Sequence, residues 1–348
     1  MTTTIKRTVK HLTLAALPLA ASLTVTAAQA EEVNIYSYRQ AFLIEPLLNA
    51  FTQQTGIETN VIYASSGLNE RIEQEGRNSP ADIILTPNTT ILVDAYDKGL
   101  TQAVESDILT SNIPAQYRAD DNHWFGLTTR GRVIYASKDR VEPGEITTYE
   151  ELADPQWEGR ICTRSGKHNY NLSLFASMIE HHGEEYTKTW LEGLKNNLAR
   201  TPQGNDRGQV KAIMEGECDL SLGNTYYFGK MITNTEEPEQ VEWANSVNIV
   251  FPNQEDRGTH MFISGAAVAK HAPNRDEAVQ LLEFMSQDLA QYMYAQENFE
   301  FPVKPGTPYS ALLNQYMGDF VADDVSLTAV VDHVDEASRL VDEVGYDF

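Results

Sequence analysis

Apolar positions recur along this chain with two periods, and the change from one to the other predicts alternating strands and helices. Residues 33–37 read as a short strand. Over 42–54 the apolar positions return at helical spacing and stop at Gly56, which predicts a helix with a glycine end. Alternation resumes over 58–63, a helical stretch follows at 68–75 ahead of Gly76, and 81–86 is a continuous apolar strand. This βαβαβ order predicts a mostly parallel sheet.

From 124 to 137 the pattern is extended and carries Arg130 and Arg132. A new helix and strand series opens at 147–152 and 157–164, so a crossing between two domains is expected at 124–137. A second extended run at 247–252, followed by the strand 261–269, reads as the way back. A long helix is expected over 278–295, and a third passage at 301–305 delivers 309–343 to the second domain. The expected architecture is α/β and bilobal: two open α/β lobes with extended hinge crossings, one formed by 31–131 and 256–303, the other by 132–255 and 304–348. In such an architecture a ligand sits in the central cleft, near the strand ends.

The leader changes where this fold resides. Lys6, Arg7 and Lys10 precede an apolar run from 12 to 28 that ends in Ala28-Gln29-Ala30, the small-x-small pattern of a cleavage site. Residues 1–30 are therefore expected to be a signal peptide and the working protein to begin near Glu31, exported to a bacterial periplasm. The 26 basic against 50 acidic residues give a formal charge of −24. That charge repels nucleic-acid phosphate and anionic lipid, which disfavours both as partners. The two cysteines, Cys162 and Cys218, both follow the leader, and an even pair in an oxidising compartment is expected to bridge.

Enzyme signatures do not emerge: the sequence has no Gly-x-Ser-x-Gly elbow, P-loop, Gly-x-Gly-x-x-Gly turn or His-Glu-x-x-His helix. His181-His182 precedes Gly183 in a helical stretch and is better suited to a helix C-terminus than to a metal. His168 is expected in a solvated loop. The tyrosines carry more information. Asn224-Thr225-Tyr226-Tyr227 follows a strand-like 218–222, and Tyr170 has an equivalent setting: Cys162 precedes Tyr170 by eight residues, as Cys218 precedes Tyr226. A bridge between the cysteines would bring both tyrosine segments toward one site, although packing alone also accounts for paired tyrosines.

The run Asn34-Ile35-Tyr36-Ser37-Tyr38-Arg39-Gln40, then Gly56-Ile57, Gln74-Glu75-Gly76, Ser79-Pro80-Ala81-Asp82-Ile83-Ile84-Leu85-Thr86, Trp124-Phe125-Gly126-Leu127, Arg164-Ser165, His168-Asn169-Tyr170-Asn171, Gly204-Asn205-Asp206-Arg207 and Asn224-Thr225-Tyr226-Tyr227 resembles the periplasmic ferric-iron-binding proteins of ABC transporters. The resemblance implies that Tyr170, Tyr226 and Tyr227 bind Fe³⁺ through phenolate oxygens, which suit a hard cation. It implies no covalent chemistry, a monomer, and delivery of the ion to an inner-membrane ABC permease. It also implies an arginine behind the ligands in the first crossing, for which Arg130 is the candidate.

The chain departs from part of that family, which places a His, sometimes followed by a Tyr, where Gln40 and Ala41 stand here. Ala41 cannot coordinate. The resemblance to the tyrosine-only branch then implies an exogenous anion, carbonate, held by the fork of Arg39, with Gln40 offering a neutral amide. Two rivals stay open: a binding protein of the same architecture for an organic anion, a polyamine or a vitamin, and an enzyme on the bilobal fold, for which no nucleophile with an activating base is visible.

Overall fold

Ten strands organise the described residues: β1 (Glu32–Ser37), β2 (Glu58–Tyr63), β3 (Ile83–Thr86), β4 (Thr101–Gln102), β5 (Phe125–Ser137), β6 (Ile161–Cys162), β7 (Leu220–Asn224), β8 (Val247–Val250), β9 (Met261–Ala269) and β10 (Phe301–Pro302). The structure, a computed structural model, describes residues 1–3 and 31–348, and the expected signal peptide falls almost wholly on residues outside these. Glu31–Phe348 forms one compact unit.

The opening βαβαβ is present. β1 pairs in parallel with β2 on one side and β3 on the other. The helix Ala41–Thr55 buries Leu43, Ile44, Leu47, Leu48 and Phe51, the one-face spacing of a 3.6-residue period, and ends where Gly56 takes φ +79°. Each of those side chains contributes about 1.5–3 kcal/mol by leaving water. The sheet is nevertheless mixed rather than mostly parallel, because β9 returns antiparallel against β3 and β5 antiparallel against β9.

β5 is the strand on which the fold turns. Its first half, Phe125–Gly131, pairs with β9 in the sheet of β1–β3, and its second half, Arg132–Ser137, lies between β7 and β8, both antiparallel. All thirteen of its residues are buried. One apolar cluster packs the helices Ala41–Thr55 and Arg275–Ser286 on the first sheet portion. A second gathers the helices Asn169–His182, Glu184–Asn196 and Val334–Val344 around Trp157 and β7.

Three expected elements differ. The helix expected over 278–295 is two, Arg275–Ser286 and Asp288–Glu297, because Gln287 is extended. The Gln291 amide donates to the Met285 carbonyl at 2.8 Å, satisfying an end group that a continuous helix would have paired. The strand expected over 157–164 shrinks to Ile161–Cys162, since Gly159 takes φ +68° and breaks the extension. The helix expected over 147–152 is a 3₁₀ turn, Glu150–Ala153. Cys162 and Cys218 are bonded, with Cα atoms 5.8 Å apart.

Candidate functional site

Tyr170 is the second residue of the helix Asn169–His182, while Tyr226 and Tyr227 are the second and third of the helix Thr225–Ile232, which begins where β7 ends. All three therefore lie in first turns, where unpaired N–H groups favour negative charge. His168 is the N-cap of the first of these helices: its Nδ1 accepts the Tyr170 N–H at 3.2 Å. Burial, with Arg164 beside it, holds the imidazole down at about 4, so it is neutral at pH 7. The expected solvated loop histidine is thus a capping group. His181 and His182 pair instead with Asp323 and Glu150, at 2.8 and 2.7 Å.

The three tyrosines share the lining of a cavity of about 100 Å³ with Arg39, Gln40, Arg130, Tyr38, Leu43, Pro87, Ser264 and Glu300. Its walls come from different parts of the chain. Arg39 and Gln40 follow the carboxyl end of β1, where Ser37 Oγ accepts the Arg39 N–H at 3.0 Å and fixes the turn. Arg130 lies on β5 and Ser264 on β9. Glu300 immediately precedes β10, after Phe299 at φ +56°. The fit is tight: a Cβ built on Gly229 would sit 2.3 Å from the Phe299 ring, so only glycine lets this helix approach.

Tyr226 and Tyr227 rings lie 4.1 Å apart, centroid to centroid. Tyr170 packs on Phe262 at 5.3 Å. Three guanidiniums surround the Tyr170 ring, Arg130, Arg132 and Arg164, at 5.7, 5.8 and 5.3 Å from its centroid, and Arg130 lies 5.9 Å from that of Tyr226. Burial pushes the Tyr226 hydroxyl well above its ordinary range, with the neighbouring Tyr170 and Tyr227 adding to the rise and Arg130 opposing it. Burial, followed by Asp206, pushes Tyr227 up to about 12. At neutral pH both are phenols, so a cation bound to their oxygens would have to displace their protons.

Arg132 is buried and its two Nη atoms donate to Asp206 at 2.7 Å, Asn224 at 3.0 Å and Asn171 at 2.7 Å. Asp206 also accepts from Arg164 at 3.0 Å and from the Asn224 N–H at 3.0 Å. Arg130 donates to Ser264 Oγ at 2.6 Å and to the Pro87 carbonyl. Arg39 faces Glu300, with Nη2 2.9 and 3.1 Å from the two carboxylate oxygens. Sequence reasoning missed Glu300, one acid among fifty with no motif around it, and missed that Arg39 already holds a carboxylate. A wider cleft of about 600 Å³ adjoins the cavity through Gln40 and the three tyrosines, and Arg164 and Arg207 line it.

Residues 78–320 match the family model described as bacterial extracellular solute-binding protein. The chain is 43% identical over 327 residues to Iron uptake protein A1 of Synechocystis sp., covering 94% of this chain and 90% of that protein. Among solved structures it resembles the apo ferric ion-binding protein A of Pasteurella haemolytica (50% identity, 92% of this chain and 99% of that one, TM-score 0.86). It equally resembles a Trichodesmium protein solved in complex with iron and citrate ligands (39% identity, 90% and 99% covered, TM-score 0.86). These are binding proteins rather than enzymes, and the chain belongs to the bacterial extracellular solute-binding proteins, within them to the periplasmic ferric-iron-binding family.

Proposed function

We propose that this protein captures Fe³⁺ in the periplasm on the phenolates of Tyr170, Tyr226 and Tyr227, together with an exogenous oxyanion, carbonate, and hands the ion to an inner-membrane ABC permease. The observation that carries this reading is the convergence of three first-turn tyrosines with two arginines on one cavity of about 100 Å³. Phenolate oxygens are hard donors matched to a hard trivalent cation, and three of them cancel its charge. Arg39, Gln40 and Arg130 line the same cavity and form its anion side. The lobes are 31–131 with 256–303 and 132–255 with 304–348, closing about β5 and the neighbouring crossings as a monomer. The adjoining cleft of about 600 Å³ leaves room for an organic chelate such as citrate in place of carbonate.

The test is a visible-absorbance titration of the protein lacking residues 1–30 with ferric citrate in bicarbonate buffer, repeated on Tyr226→Phe and Tyr227→Phe. The expected result is a phenolate-to-iron charge-transfer band that saturates near one iron per chain and weakens in both variants. A folded, colourless wild type would overturn the ferric reading in favour of an organic ligand.

A further inference from the structure

The cavity contains one acidic side chain, Glu300, that the ferric reading does not use. Glu300 is buried, its side chain about 3% exposed. Both its oxygens face Arg39 Nη2, at 2.9 and 3.1 Å, and Oε2 also accepts the Thr128 hydroxyl at 3.0 Å. Its other oxygen lies 3.9 Å from Arg130 Nη1. The flanking chain holds it there: the Asn298 side-chain amide donates to the Leu43 carbonyl at 2.9 Å, and β10 pairs with Thr128 and Thr129 immediately after. Meanwhile Arg39 Nε and Arg130 Nε are buried with no partner among the described residues.

A carboxylate and a carbonate present the same planar O–C–O edge to a guanidinium. Both are therefore drawn to Arg39, whose Nη2 is already held by Glu300. Glu300 competes from within the molecule, tethered at high effective concentration, whereas the exogenous anion arrives from solution. We propose that Glu300 is an internal competitor of the exogenous anion at Arg39, a specificity residue that sets how much anion the protein needs to retain its iron. This inference rests on the ferric reading above and on Arg39 as the anion's seat.

Glu300→Gln keeps the shape of the side chain and an acceptor for Thr128 but removes the charge that occupies Arg39. The buried guanidinium is then left to an anion from solution. Thr128→Val loosens Glu300 from its other side without touching Arg39. Two measurements follow on wild type and both variants. In the iron-free proteins, bicarbonate is titrated while the thermal midpoint is recorded, since an anion that binds only the folded state raises it. In the iron-loaded proteins, the half-life of the charge-transfer band against a competing chelator is read as a function of bicarbonate.

The expected result is a half-saturating bicarbonate concentration at least tenfold lower in Glu300→Gln than in wild type, with a two- to threefold drop in Thr128→Val, in both measurements. An unchanged or higher bicarbonate requirement in a folded Glu300→Gln overturns the inference. If that variant does not fold, an unchanged requirement in Thr128→Val overturns it. A wild type that forms no iron band overturns the ferric reading itself, a failure separable from this one because the iron-free thermal titration does not involve the metal.

Discussion

Arg130 and Arg132 stand two residues apart on one face of β5 and almost equally far from the Tyr170 ring, yet their surroundings have little in common. Arg132 meets a buried carboxylate and two amides, and each of those partners belongs to an element that carries the site: Asp206 opens a helix, Asn224 precedes the tyrosine pair and Asn171 follows Tyr170. It shares the Asp206 carboxylate with Arg164, and its hydrogen bonds tie together the elements that carry the tyrosines. Arg130 meets a hydroxyl and a carbonyl, with the nearest carboxylate oxygen of its pair with Glu300 at 3.9 Å. Its charge is satisfied by hydrogen bonds but not neutralised, so it remains available to a phenolate or an anion. Identical side chains two positions apart thus divide between architecture and electrostatics according to whether a carboxylate was folded against them.

The largest effect bearing on this division is that of pH on iron retention. Tyr226 and Tyr227 are protonated in the iron-free protein at neutral pH, because burial holds both above their ordinary range. If iron binds through the three phenolates as proposed, one proton leaves for each phenol that ionises, up to three. Below the phenols' own range, apparent affinity falls as pH falls, by up to about three decades per pH unit, each proton contributing about 1.4 kcal/mol per unit. A chelator competition run from pH 8 to pH 6, with proton release counted in weak buffer, reads the slope directly. A slope near one would remove two of the three phenolates from the ligand set and leave Arg130 with a single phenolate to attend.

Substituting each arginine by methionine tests the division itself. Arg132→Met leaves Asp206 buried with Arg164 as its one remaining cationic partner, and breaking a buried pair costs about 3–5 kcal/mol. Arg130→Met strands a hydroxyl and a carbonyl but no charge, which costs about 1–3 kcal/mol. Urea unfolding of the iron-free proteins should rank them in that order, while iron competition should rank them in reverse once each is compared well below its unfolding midpoint. Equal destabilisation by both would mean that the Asp206 contact is worth no more than the Ser264 one.

Much of this was legible in the chain because it depends on local periodicity. The elements 58–63, 68–75 and 261–269 follow directly from alternation, helical spacing and glycine ends. The three tyrosines stand out because a Tyr-Tyr pair after a strand is unusual, and the equal eight-residue spacing from each cysteine points at the same cavity. What escaped is non-local. The break at Gln287 is invisible because Leu281, Met285, Ala290 and Tyr294 keep an apolar face on either side of it. Glu300 lies 261 residues from Arg39, and nothing near either residue announces the pairing. Arg130 and Arg132 cannot be told apart by spacing, since their difference lies in Asp206 and Asn171, which only the fold delivers.

The disulfide gives the smallest effect and separates stability from site geometry within the tyrosine wall. Cys162 on β6 and Cys218 before β7 are 56 residues apart, and closing such a loop stabilises the fold by at most about 4 kcal/mol on the chain-entropy model. The bridge acts mainly by restricting the unfolded chain, whereas the tyrosine-bearing helices are held in the folded one by Asn171, Asp206 and Asn224. The double variant Cys162→Ser, Cys218→Ser should therefore unfold at lower urea yet keep its iron affinity within about tenfold of wild type under conditions where it remains folded. A larger loss of affinity, with the urea midpoint shifted no further than expected, would transfer the fixing of the phenols from the Arg132 network to the bridge, and with it the architectural role assigned to Arg132.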